Sequence, residues 1–252
     1  MNHYRYDSIW WDVVVNADSP PAVPTRRPTG PTGPDPGMLA SVSLGLLIAS
    51  LTVSVILTGQ TFPSPYSPTA QVAAFFRENS EATGLASMLQ FGSAVPLGIY
   101  AATAYARLLR LGVRVPGPGI GFFGGISASI LLLLSASVIW VLSFPEITVD
   151  ATLTHALSLL AFILGGVGYV TGIGLLIAGI SVPGLLLGLV PRWIAWTGLL
   201  IAVLSELSFL SMTIEPFQYL LPIGRFAGLL WLTAVGFLLP RNRAAKRQEA
   251  LR

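Results

Sequence analysis

A chain of 252 residues that is 53% hydrophobic and 10% charged, with a mean hydropathy of +0.73, is too apolar for a soluble domain, in which about a quarter of residues carry charge. The net charge of +3 marks no nucleic-acid surface, because the basic residues gather at the ends of apolar runs. With no cysteine, disulfides, thiolate metal sites and cysteine nucleophiles are excluded, and two histidines, His3 and His155, are too few for a histidine-rich metal centre, so no metal or cofactor is expected.

Residues 1–37 differ in kind from the rest. The run from Ser19 to Gly37 is so dense in proline and glycine that it reads as a disordered tail outside any core. Within the tail, Ile9-Trp10-Trp11-Asp12-Val13-Val14-Val15 is a short apolar island suited to a membrane interface or a partner. The other reading is that the tail has no role, or that translation starts at Met38. The island comes too early and is too short for a secretory signal.

The first span is expected from about Met38 to Thr58, followed by the turn-rich Thr61–Pro68. Between Thr69 and Ser80, Val72, Phe75 and Phe76 recur at helical spacing ahead of Arg77 and Glu78, which predicts a short amphipathic helix in the interface. The second span, about Thr83 to Leu109, carries Gln90 in its outer third and a kink at Pro96. The third runs from about Ile120 to Leu142. The fourth follows Asp150, a suitable N-cap, and runs to about Ile180 with His155 one turn in. Its Gly165, Gly168 and Gly172 share one face, on which a second copy or another membrane helix could pack closely.

The fifth and sixth spans, about Trp193–Ile214 and Phe217–Leu239, flank a turn at Ile214-Glu215-Pro216, and each carries one ionisable residue, Glu206 and Arg225. At ~1.5 Å per residue each span is about 33 Å long, enough for a hydrocarbon core of about 30 Å, and both charges lie roughly 12 Å from the shared turn. A lone charge at that depth costs at least ~2.5–3.5 kcal/mol, so a Glu206–Arg225 contact is expected. It acts either as a structural clip or as part of a polar site. Gln90, His155, Glu206 and Arg225 all fall in the same half of the bilayer and form one pocket if their helices adjoin.

The loops at one end carry Arg107, Arg110, Arg114 and Arg192, joined by the tails with Arg5, Arg26, Arg27, Arg241, Arg243, Lys246, Arg247 and Arg252. The other end has only Arg77 among the acids Glu78, Glu81, Glu146, Asp150 and Glu215. Six spans with both termini in the cytoplasm satisfy the positive-inside rule. The expected fold is therefore an all-α polytopic bundle in 38–240, between the 1–37 tail and a basic 241–252 tail, with the lipid bilayer as its partner.

No phosphate loop, Rossmann glycine pattern, zincin motif or nucleophile elbow is present. The segments Ala73-Ala74-Phe75-Phe76-Arg77, Gln90–Tyr100, Arg107–Gly112 and Leu221–Leu232 together resemble a family of uncharacterised bacterial six-helix membrane proteins. That resemblance implies the same architecture and a bacterial inner membrane, and brings no activity. The function expected from the residues is non-enzymatic binding, scaffolding or regulation around a Glu206–Arg225 clip. The alternatives are a small carrier, in which Glu206 exchanges a proton and Arg225 holds an anion, and a lipid-modifying enzyme with His155 or Glu206 as base.

Overall fold

The computed structural model describes residues 33–64 and 66–240. The expectations for the 1–32 part of the tail and for 241–252 lie outside these residues. Among the described residues six helices are long and apolar enough to cross a membrane: Pro36–Thr58, Ser80–Arg110, Gly117–Val141, Ala151–Leu186, Arg192–Met212 and Glu215–Leu238. They are called the first to sixth spans. The chain is thus an all-α, multi-pass membrane protein. The first span starts two residues before Met38, because Asp35 accepts from the Gly37 N–H and Pro36 suits the first helical position. The short helix Thr69–Glu78 forms as its periodicity predicts, and Asp150 caps the fourth span by accepting from the Thr152 and Leu153 N–H groups.

Each span packs on its neighbour in sequence, and the sixth closes on the first. Inside lipid there is no hydrophobic force to join apolar helices, so close backbone approach and interhelical hydrogen bonds take its place. Serines join the first two spans: Ser43 and Ser93 donate to each other's carbonyl at 2.8 Å, and Ser50 donates to the Ala86 carbonyl at 2.7 Å. Ser129 donates across to the Ala94 carbonyl at 2.8 Å, joining the second and third spans near Pro96.

The tightest seam joins the third and fourth spans. A Cβ on Gly179 would lie 2.4 Å from the Gly121 nitrogen, one on Gly172 2.8 Å from the Ala128 nitrogen, and one on Gly168 2.9 Å from Leu131 Cδ1. The Gly165/Gly168/Gly172 face, expected to receive a second copy or another membrane helix, is therefore occupied by the third span of the same chain. The seven-residue steps 165, 172 and 179 place one glycine every two turns along this antiparallel contact.

At the basic end, Gly236 lies against Gly37, where a Cβ would come within 2.5 Å of the Gly37 nitrogen. Arg107, expected as a loop charge, is buried there instead. Its Nη1 lies 3.3 Å from both the Gly236 and Leu239 carbonyls, which a helix C-terminus leaves without intrahelical partners. Tyr100 adds a bond to the Leu232 carbonyl at 3.1 Å.

The seam yields a direct test. Gly179→Ala forces a methyl group against backbone that cannot swing aside, and should destabilise by about 1–3 kcal/mol. Gly45→Ala, on an exposed helix face with nothing within 4 Å of the added methyl, should be neutral or stabilising by up to about 1 kcal/mol. Thermal unfolding of both variants in detergent checks the pair.

Candidate functional site: an arginine-lined cavity beneath an aromatic lid

At the acidic end, the loop after Gly59 and the Thr69–Glu78 helix fold back over the bundle. Gly59 turns the chain with a φ of 69°, a left-handed conformation that suits glycine. Phe62 packs on Phe75 and Phe76 with ring centroids 5.4 and 6.1 Å away, and Phe75 meets Phe76 edge-on at 5.3 Å. Tyr66 donates its hydroxyl to the Ser211 carbonyl. Thr69 Oγ1 lies 2.8 Å from His155 Nδ1. These contacts hold the lid to the fourth and fifth spans.

Under the lid lies a partly open cavity of about 240 Å³. Phe62, Pro63 and Phe76 line it from the lid, Leu51 from the first span, Gln90 from the second, Ser135 from the third, Ser158, Gly165 and Gly166 from the fourth, and Pro222, Arg225 and Phe226 from the sixth. Its polar groups converge. Gln90 Nε2 lies 3.4 Å from Ser135 Oγ, which donates to the Ala161 carbonyl at 2.9 Å.

Arg225 sits in one irregular turn and bonds to a carbonyl in another. The fourth span widens into a π turn at Ile163–Gly168 and the sixth into another at Ile223–Ala227, just after Pro222. Such turns recur at functional sites because they alter which backbone groups are bonded. In the fourth span the Tyr169 N–H bonds to the Leu164 and Gly166 carbonyls and passes over that of Gly165. Arg225 Nη2 donates to the Gly165 carbonyl, and the guanidinium lies 5.5 Å from the centroid of the Tyr169 ring. Gly165 must lack a side chain here, since a Cβ would lie 2.2 Å from Ser135 Oγ. A hydrogen bond from a cation contributes ~1.5–3 kcal/mol and a desolvated cation–π contact roughly 2. Together they offset the ~2.5–3.5 kcal/mol cost of placing the arginine in the membrane without a carboxylate. Arg225 Nε is buried without a hydrogen-bond partner.

The expected Glu206–Arg225 contact does not form. Among the described residues no ion pair joins them, and Glu206 Oε1 is itself buried without a hydrogen-bond partner. A Cβ on Gly174 would lie 2.8 Å from Glu206 Oε1, so the carboxylate meets the fourth span roughly 10–13 Å further along it than the guanidinium does. The cause is directional. Helical side chains lean toward their own N-terminus, and the fifth and sixth spans are antiparallel. Glu206 therefore leans toward the basic end and Arg225 toward the acidic end. The fifth span also tightens into a 3₁₀ turn at Ser208–Met212.

Of the four residues expected in one pocket, Gln90 and Arg225 share the cavity, whereas His155 is engaged with Thr69 and Glu206 lies apart. The residues that sequence reading missed are Ser135, Gly165 and Tyr169. The spacing of Gly165 suggested only packing, and no local signal marks the π turn at Ile163–Gly168.

Fold and site together define a six-span membrane protein with a cationic, lidded cavity. No family model matches the chain, and neither a curated protein nor a solved structure matches it.

A double-mutant cycle on thermal stability separates this geometry from a clip. Glu206→Gln and Arg225→Gln should be additive to within about 0.5 kcal/mol, as expected for groups without contact or shared partners. A coupling above about 1 kcal/mol would restore the clip.

Proposed function

We propose that this chain is a non-enzymatic binding protein of the membrane that holds an anionic group against Arg225. The observation that carries the reading is a guanidinium lining a partly open cavity with no carboxylate paired to it among the described residues. An internal clip would neutralise the arginine. Here its charge is left to a carbonyl and a ring, which hold the cation without cancelling it. Gln90 and Ser135 supply polar groups beside it, and the remaining walls are mainly apolar, the pattern of a ligand site with a few orienting polar groups. The lipid-enzyme alternative would need His155 or Glu206 in the cavity as base, and neither lines it. A proton-coupled carrier would need Glu206 in the cavity, and Glu206 does not line it.

The distribution of arginines supports both termini being cytoplasmic, which would place the lid and cavity at the outer leaflet. The resemblance carried by segments such as Leu221–Leu232 supports a bacterial inner membrane.

The test uses the full chain in phosphatidylcholine nanodiscs. Dodecanoate or dodecyl phosphate at about a hundredfold excess over Kd should raise the unfolding midpoint by about 5 °C or more. Dodecanol and dodecylamine should not. Arg225→Gln should abolish the shift, and equal shifts from the anion and the alcohol would overturn the reading.

A further inference from the structure

Where the first and sixth spans meet says how a ligand would reach Arg225. The first span packs on Gly228–Leu238, with Gly37 against Gly236 at the basic end. The outer turns of the sixth span, Glu215–Leu220 and Ile223–Ala227, have no packing of that kind on the first span. The two helices therefore splay toward the acidic end. Leu51 on one and Pro222, Arg225 and Phe226 on the other line the cavity. Ile223 and Phe226 are themselves exposed, on a surface that lipid would cover. The aqueous side is obstructed instead: Phe62 and Phe76 roof the cavity, and Tyr66 fastens the lid to the Ser211 carbonyl.

We infer that the ligand is a single-chain lipid anion, carboxylate- or phosphate-headed, drawn from the surrounding leaflet, with its headgroup on Arg225 and its chain leaving through the cleft between the first and sixth spans. The inference rests on the binding reading above and adds the ligand's class and route. Size supports it. A cavity of about 240 Å³ falls short of the roughly 300–1,000 Å³ in which sites enclose a whole drug-sized ligand. It holds a headgroup and the first few carbons, so the rest of a chain must lie outside it. Chemistry supports it too. A small inorganic anion would leave most of its oxygens facing apolar walls without donors, which is costly. One charged end with an apolar body suits both the arginine and the lining. A single chain also matches a cleft bounded by one residue of the first span, Leu51, and by the Pro222–Phe226 turn.

The experiment maps where the chain lies. The full chain in phosphatidylcholine nanodiscs is irradiated with dodecanoate that carries a terminal alkyl diazirine, with and without excess unlabelled dodecanoate, and adducts are located by peptide mass spectrometry. Competable adducts should fall on 51–57 of the first span and 223–230 of the sixth. Their yield should drop roughly tenfold or more in Arg225→Gln, the loss expected for one charge-assisted bond. Leu51→Trp, which narrows the cleft and leaves the charge in place, should lower the yield while retaining the wild-type unfolding midpoint. Competable adducts on residues 60–64 or on Thr69–Glu78 would overturn the inference, since the chain would then point to the aqueous face while the Arg225 site stood. The absence of both competable adducts and any thermal shift from dodecanoate would overturn the binding reading itself, and this inference with it.

Discussion

A guanidinium inside a membrane must find acceptors, and an interior helix carbonyl, already bonded four residues on, has only its second lone pair to offer. At the Arg225 site that ladder is altered. The π turn at Ile163–Gly168 makes the Tyr169 N–H pass over the Gly165 carbonyl, and that carbonyl receives Arg225. The same turn presents the Tyr169 ring to the cation. The glycine is needed for close packing on Ser135, and its carbonyl is the one that receives Arg225. Packing and chemistry thus converge on one residue, and the third–fourth seam that stabilises the bundle also sets the geometry of the site.

This arrangement explains how a charge can be stable and yet available. A carboxylate partner would satisfy the arginine and also neutralise it. A carbonyl and an aromatic face stabilise the cation by dipole and quadrupole and leave the net charge in the cavity. Glu206, the obvious partner by depth, is kept away by the opposite lean of side chains on antiparallel helices. Equal depth of two Cα atoms on antiparallel helices therefore does not bring their charges together. A charge pair at the same nominal level meets more readily when each residue is placed one turn toward its own C-terminus, so that the side chains lean toward one another.

The sequence made the architecture legible because the signals were long and periodic. Apolar runs of span length and the Val72/Phe75/Phe76 stripe are patterns over many residues, and Asp150 at the start of the fourth span is a cap recognisable by residue type. What remained illegible was local. Arg107 looked like one of several loop arginines, but it reaches the Gly236 and Leu239 carbonyls of a helix distant in sequence. The π turns lie inside apolar helical sequence, with only Pro222 as a hint, and the fifth span's 3₁₀ turn carries no breaker residue. Such turns are set by tertiary packing, which single-helix periodicity does not encode. Depth alone grouped Gln90 and Arg225 with His155 and Glu206, whereas which of them line one cavity depends on azimuth, which depth does not give.

The same contrast orders the bundle from end to end. At the basic end, small residues and buried donors hold backbones together: Gly37 on Gly236, Arg107 on two terminal carbonyls, Tyr100 on the Leu232 carbonyl. At the acidic end, the helical ladders give way to 3₁₀ and π turns in the fifth and sixth spans, and an aromatic lid covers the cavity. Irregular backbone in a membrane is tolerated where it is buried in protein or lines a cavity, and the Ile163–Gly168 and Ile223–Ala227 turns line one here. The glycines at the basic end and the π turns near Arg225 are thus complementary parts: close backbone contact fastens the helices at one end, and altered backbone bonding makes room for a cavity and an acceptor for its arginine toward the other.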